Sequence, residues 1–285
     1  MKLIKKANIL IVGLGLLGGS YAMALKRLGF TVNAITKKQS TIDYALQKGL
    51  IDSGTTEIDH DMIAEADLVV FALYPQVFID WIKENQQHFK SGAILTDVTG
   101  VKGFVVDTIQ DMLRDDVEFI AAHPMAGKEV YGVENSDDSI FKGANYIVVP
   151  TEKNTEEAIE LCENLGQLLG FKQVVRLSVA EHDKMIAFLS QLTHCIAVTL
   201  MCANDEEGLE KYTGDSFRDL TRIAVINDDM WSELFLDNRE VLLEEMRRFK
   251  NCFDTLYEKI ETGDHDAIRE MMRLSTERRK RFNKA

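Results

Sequence analysis

Through the first 177 residues, short apolar runs alternate with stretches whose apolar positions recur every three or four residues. ANILIVG, FTVNAI, DLVVFAL, GAILTDV and VEFIAA read as strands, because short continuous apolar runs bounded by turn residues suit strands covered on both faces. The segments between them read as helices: LLGGSYAMALKRL, STIDYALQKG, PQVFIDWIKENQQHF with Pro75 near its start, and KGFVVDTIQDML. NYIVVP, EAIELCENLGQLLG and KQVVRL add a strand, a helix and a strand. This alternation predicts an α/β domain with a doubly wound, parallel, Rossmann-type sheet over residues 1–177.

From Ser178 the strand pattern stops. SVAEHDKMIAFLSQLTHCIAVTLMCANDEEG predicts one long helix, SFRDLTRIAV a short one, and DDMWSELFLDNREVLLEEMRRFKNCFDTLYEKIETGD another long one, with HDAIREMMRLSTERRKRF closing the chain. No proline follows Pro150, so nothing interrupts these helices. Trp231, Leu234, Phe235, Leu242, Met246, Phe249, Phe253, Tyr257 and Ile260 form a wide apolar stripe. An all-α domain over 178–285 is expected, and so much apolar helical surface predicts a homodimer through it.

Composition narrows the function. A net charge of −13 and a pI near 5.0 exclude an extended nucleic-acid or anionic-membrane surface, but leave room for a small anionic substrate held by a few local cations. Cys162, Cys195, Cys202 and Cys252 contain no CxxC pair, so no metal site is expected and reduced thiols in a cytoplasmic protein are. The N-terminus mimics a signal peptide, with lysines, an apolar run and Ala22-Met23-Ala24, but glycines interrupt the run. No other segment looks like a membrane span, so no membrane is expected.

Those glycines form Gly13-x-Gly15-x-x-Gly18 between a strand and a helix. The first permits a tight turn, the second a close approach to a pyrophosphate, the third close packing of helix on strand. At the end of the second strand, where an acid often holds the ribose of NAD, stand Thr36, Lys37 and Lys38. The lysines are either solvated surface residues or the site of a 2′-phosphate, which leans the cofactor from NAD+ towards NADP+. Ligands on such sheets bind beyond the carboxyl ends of the strands. ALYPQ, TDVTGVKG and HPMAGKE fall there, which puts His123 on the nucleotide side. The cofactor contacts expected are Gly13, Leu14, Gly15, Leu16, Leu17, Gly18, Thr36, Lys37, Lys38, Leu73 and Asp97.

GLGLLGGS (13–20), TDVTGVK (96–102), HPMAGKE (123–129), HDKMIAFLSQLTH (182–194) and FRDLTRIAVINDDMW (217–231), in this order, resemble the prephenate/arogenate dehydrogenase family over nearly the whole chain. The resemblance implies NAD(P)-dependent oxidative decarboxylation of prephenate to 4-hydroxyphenylpyruvate, or of arogenate to tyrosine. His123 matches the family's histidine that accepts the hydroxyl proton, a role suited to a neutral imidazole. Arg222 matches the arginine that holds the ring carboxylate, with Asp219 on its helical face to orient it or pair with it. His194 matches a histidine that orients Arg222, touches substrate or packs in the core; Glu129 matches an acid near the site, and Trp231 caps the pocket or packs. His182 reads equally well as a surface residue at a helix start.

One departure stands out: the family often has Gly-Ser-Val-Lys where this chain has Thr99-Gly100-Val101-Lys102, so Thr99 or a water would have to supply the missing hydroxyl. The chain shows no later βαββαβ pattern of an amino-acid-sensing domain, so tyrosine inhibition, if present, is expected at the active site. Two other readings remain: a β-hydroxyacid-type dehydrogenase, which would lean on a helical lysine where this chain has Ser190 and His194, and a non-catalytic nucleotide sensor, which would keep the glycines without needing His123 and Arg222.

Overall fold

In the computed structural model, residues 7–128 and 130–282 are described. The N-terminal alternation builds a six-stranded parallel sheet in the order β3-β2-β1-β4-β5-β6. Its strands are β1 (Asn8–Val12), β2 (Thr31–Ile35), β3 (Ser53–Thr55), β4 (Leu68–Phe71), β5 (Ile94–Asp97) and β6 (Glu118–Phe119). Helices α1 (Leu16–Arg27), α2 (Gln39–Gln47), α3 (His60–Glu65), α4 (Pro75–Asn85) and α5 (Gly103–Met112) connect them. The central strands are apolar at successive positions because each face of the sheet has its own core. One core gathers Ile9, Ile11, Tyr21, Leu25 and Val70; the other gathers Leu10, Val69, Phe71, Phe78, Ile82 and Ile109. Strand β3 and helix α3 are additions to the expected set: Ser53-Gly54-Thr55 is an edge strand with no apolar run to announce it.

The expected strand VEFIAA divides. After β6, the Ile120 N–H still donates to Leu95 O (2.9 Å), but the next available N–H, that of Ala122, goes to the Asp97 carboxylate (3.1 Å). The chain leaves the main sheet there and becomes β7 (Ala121–Pro124) of a second sheet, antiparallel to β8 (Asn145–Val149), which lies parallel to β9 (Gln173–Arg176). Helix α6 (Glu156–Leu169) joins β8 to β9. His123 therefore lies within a strand, opposite Ile147, and not in a loop beyond one.

The helical half is more broken than its periodicity predicts. The first long helix runs Val179–Cys202 as α7 (Val179–Ile186), a π-turn (Ala187–Gln191) and α8 (Leu192–Cys202). At a mean hydropathy of 1.7 it is long and apolar enough to cross a bilayer, contrary to the expectation that no later segment is. His182, Asp183 and Gln191 on this helix are buried and hydrogen-bonded to other protein groups. After α9 (Asp215–Thr221) comes α10 (Asp228–Asp237), which stops at Asn238. The buried Asn238 side chain donates to Asp183 O (3.0 Å) and Gln191 Oε1 (2.8 Å), and its backbone leaves the helical region.

Two compact units result, one ending at Asn238 and the other beginning at Arg239. Residues 178–238 fall in the first unit because they bond to the sheet half: Asp183 to the N–H groups of Lys102 and Gly103, Glu233 to the Gln76 N–H, and Asn227 to the Tyr74 hydroxyl. The second unit is a helix pair, α11 (Arg239–Glu261) and α12 (His265–Lys280), turning at Gly263 in the left-handed region (φ +67°).

Candidate active site

The glycine turn is built for a ligand. Gly13, at φ +96°, donates its N–H to Ile35 O (2.8 Å). A Cβ at Gly13 would lie 2.4 Å from Ala72 O, and one at Gly18 would lie 1.9 Å from Gly13 O. These two glycines are therefore demanded by the protein's own backbone. A Cβ at Gly15 would meet nothing within 4 Å, so that glycine faces open space at the start of α1. With no acid in the first turn of the helix, its N-terminus suits a dinucleotide pyrophosphate. Leu14 is buried under the turn, Leu16 and Leu17 open the helix, and Leu73 packs against Gly13. At the end of β2, Thr36 donates its N–H to Thr55 O (3.1 Å), and Lys37 and Lys38 stand exposed before α2.

Beside the end of β5 lies a buried polar brace. Lys102 and Asp97 are both fully buried and form an ion pair of 2.6 Å. The Lys102 Nζ also donates to Thr99 Oγ1 (3.1 Å) and Ala122 O (2.5 Å), so its three N–H bonds meet three acceptors. Asp97 Oδ2 further accepts the Thr99 N–H (2.9 Å) and hydroxyl, and Oδ1 accepts the Ala122 N–H. Two residues expected at the ligands thus have their side chains in this brace: the Asp97 carboxylate and the Thr99 hydroxyl are buried and bonded within the protein. Gly100 looks instead at Leu234: a Cβ there would lie 3.5 Å from its methyl.

The brace grips both polar groups of Ala122, the residue before His123. Beyond it, His123 Nδ1 is 2.9 Å from His182 Nε2, and His182 Nδ1 is 2.7 Å from Asp183 Oδ1. Burial, then the charges of His182 and Lys102, hold the His123 pKa well below its usual 6.5. Burial also lowers His182, against the upward pull of Asp183. For Asp183, burial pushes upward, but the His182 hydrogen bond and the Lys102 and Gly103 N–H groups outweigh it and the carboxyl stays ionised. His182 is thus no surface residue; it is fully buried, and its partnership with Asp183 is absent from the expected site. A signal was available: Ser178 and Glu181 form a capping box, which fixes the start of α7 and so puts His182 on the face of buried Ile186.

The helical half contributes a second cluster. The π-turn ends at Gln191, and His194 Nδ1 lies 2.9 Å from Ser190 O, an acceptor only, so Nδ1 carries the proton. The His194 ring stacks on Trp231 at 3.7 Å between centroids, so Trp231 packs against a histidine here. Arg222 is exposed and opens a 3₁₀ turn (Arg222–Ala224) that packs against α8. Helix α9 ends at Thr221 with its cap residue Arg222 still in helical geometry, Asp219 is exposed on the same helix, and Arg218 pairs with Asp215 (2.6 Å). Glu129 lies outside the described residues. No group of three or more metal-ligating side chains occurs among the described residues.

Comparison with known proteins agrees with this arrangement. Residues 21–175 match the family model of the prephenate dehydrogenase nucleotide-binding domain, and residues 178–274 that of the prephenate dehydrogenase dimerization domain. A prephenate dehydrogenase of Lactococcus lactis is 33% identical over 269 residues, covering 92% of this chain and 73% of that protein. A cyclohexadienyl dehydrogenase of Zymomonas mobilis is 29% identical over 95% of this chain and 94% of its own. Among solved structures, prephenate dehydrogenase from A. aeolicus in complex with hydroxyphenyl propionate and NAD+ superimposes with a TM-score of 0.90 at 30% identity, covering 99% of this chain and all of that one. A match that extends through both the nucleotide-binding and the helical portions leaves one conclusion: this chain belongs to the prephenate dehydrogenase family.

Proposed function

We propose that this protein oxidises prephenate to 4-hydroxyphenylpyruvate and CO2 with a nicotinamide dinucleotide as acceptor. The observation that carries the reading is His123: a largely buried imidazole, bonded to His182, whose pKa burial holds well below its usual value, in a chain of this dehydrogenase family. A nicotinamide dinucleotide held at the turn of Gly13, Gly15 and Gly18 would supply the acceptor for the hydride lost from ring carbon C4. His123 accepts the proton of the C4 hydroxyl as the C–O bond gains carbonyl character. The bond between C1 and its carboxylate then breaks, its electron pair enters the ring, and His123 returns the proton to the new phenol oxygen. Arg222 binds the ring carboxylate, for which a planar guanidinium is well matched, and the His194–Trp231 stack forms a wall of the pocket.

Lys37 and Lys38 at the end of β2 favour NADP+ over NAD+, since they attract a 2′-phosphate and no acid occupies their positions. The exposed Phe249, Phe253, Tyr257 and Ile260 on α11 favour a homodimer through the helical portion, and four free cysteines suit a reducing cytoplasm. Arogenate is the alternative substrate, favoured by the likeness to a cyclohexadienyl dehydrogenase. The deciding assay crosses prephenate and arogenate with NAD+ and NADP+, following nicotinamide absorbance. Turnover of prephenate, lost in His123→Asn with binding retained, is the expected result; no reduction with any combination ends the proposal. Sedimentation of a monomer at micromolar concentration would remove the dimer.

A further inference from the structure

We infer that Asp183 and His182 are positioning residues that set the tautomer of His123 and thereby make its Nε2 the proton acceptor. The inference rests on the proposed role of His123 and adds a chain of donors and acceptors behind it. An ionised carboxylate only accepts, so the 2.7 Å contact between Asp183 Oδ1 and His182 Nδ1 places a proton on that nitrogen. In neutral His182 the other nitrogen, Nε2, then carries a lone pair. That lone pair is 2.9 Å from His123 Nδ1, so His123 must donate there and hold its own proton on Nδ1. The remaining nitrogen of His123, Nε2, is left as the base.

Asp183 is fixed from several directions. Its Oδ1 also accepts the Lys102 N–H (2.9 Å), its Oδ2 accepts the Gly103 N–H (2.7 Å) at the start of α5, and its backbone carbonyl accepts from Asn238. The carboxylate therefore cannot turn away from His182 without abandoning a helix start. The Lys102 backbone serves this chain while its side chain serves the Asp97 brace, so one residue ties the imidazole of His123 and the peptide before it to the same loop. When His123 takes the hydroxyl proton, its positive ring faces the His182 lone pair, and the hydrogen bonds polarise towards Asp183.

The test reads tautomers directly. Wild-type protein labelled with ¹⁵N-histidine is observed by two-bond ¹H–¹⁵N correlation at pH 7.5, with the His123 signals identified by their loss in His123→Asn. A protonated Nδ1 and an unprotonated Nε2 on both His123 and His182 are expected; a proton on His123 Nε2 overturns the inference. This measurement needs no turnover, so absence of activity with prephenate would end the functional proposal and leave the tautomer result standing. The kinetic arm uses Asp183→Asn, His182→Gln and His182→Leu. In Asp183→Asn the amide can donate to His182 and reverse the chain, and kcat is expected to fall on the order of 10²–10⁴-fold with the KM for prephenate unchanged. His182→Gln, which retains an acceptor for His123, is expected to keep more kcat than His182→Leu. Equal kcat in the wild type and His182→Leu refutes the positioning role even if Asp183→Asn fails to fold.

Discussion

Lys102→Met is the sharpest structural perturbation available, because methionine keeps most of the apolar stem and removes only the ammonium. Lys102 and Asp97 are both fully buried, so Asp97 would keep its charge with only the Ala122 N–H, the Thr99 N–H and the Thr99 hydroxyl as donors, and Ala122 O would lose its partner. Breaking a buried pair from one side costs about 3–5 kcal/mol. In a unit of this size each kcal/mol moves the unfolding midpoint by roughly 2–4 °C, so the midpoint should fall by roughly 6–20 °C. Adding Asp97→Leu removes the stranded charge and leaves only neutral groups unmet, the Thr99 and Ala122 N–H and the Ala122 carbonyl, at about 1–3 kcal/mol each. The double variant should therefore be more stable than the sum of the two singles implies, with a coupling energy of about 1–3 kcal/mol. Trp81 and Trp231 both precede Arg239, so tryptophan fluorescence during urea or thermal unfolding follows the unit that contains the brace. A loss below about 2 °C in Lys102→Met, or strict additivity around the cycle, would refute the argument that this pair is a mutually dependent brace.

The glycine turn separates binding from folding: Gly15→Ala, which adds a methyl in open space, should keep the melting temperature and weaken nicotinamide dinucleotide binding in calorimetry, whereas Gly18→Ala, whose methyl would meet Gly13 O, should destabilise the fold. Equal melting losses in the two would contradict this division. Gly100→Ser should be accommodated, since its Cβ would make an ordinary contact with Leu234; stability should change by less than about 1 kcal/mol, and a larger loss by urea unfolding would place Leu234 closer than described. Because His123 and His182 have folded pKa values depressed below 6.5, the unfolded chain binds more protons in the window beneath that value. Their stability contribution is full above pH 6.5 and is lost as pH falls through the folded pKa values. His182→Gln should flatten the stability slope between pH 7 and 5, and an unchanged slope would show that His182 is not buried neutral.

The parallel sheet was legible because its strands are uniformly apolar, which only burial on two faces explains. What escaped was set by side chains reaching across the fold. VEFIAA contains no turn residue at Ile120, and its division depends on Asp97, 25 residues earlier, accepting the Ala122 N–H. The long helix drawn through Asn238 obeys the 3.6-residue period on both sides of the break. It stops because the Asn238 amide is committed to Asp183 O and Gln191 Oε1, partners about fifty residues away in sequence.

The site shows the same limit in chemical form. Gly13, Gly15 and Gly18 were readable from their spacing between a strand and a helix, and His123 was readable from its family motif, although the strand expected to end before it continues through it. His182 was not, because its meaning lies in a contact 59 residues away. Viewed alone, a histidine near a helix start fits solvent as well as core. The carboxylate beside it decides the matter: Asp183 shares its oxygens between the imidazole and the first N–H groups of α5, so its charge is satisfied whether or not a substrate is present. A charge satisfied in that way acts on His123 before substrate arrives. The base is then ready in one tautomer, and binding energy from the substrate's carboxylates can go to orientation and not to rearranging protons.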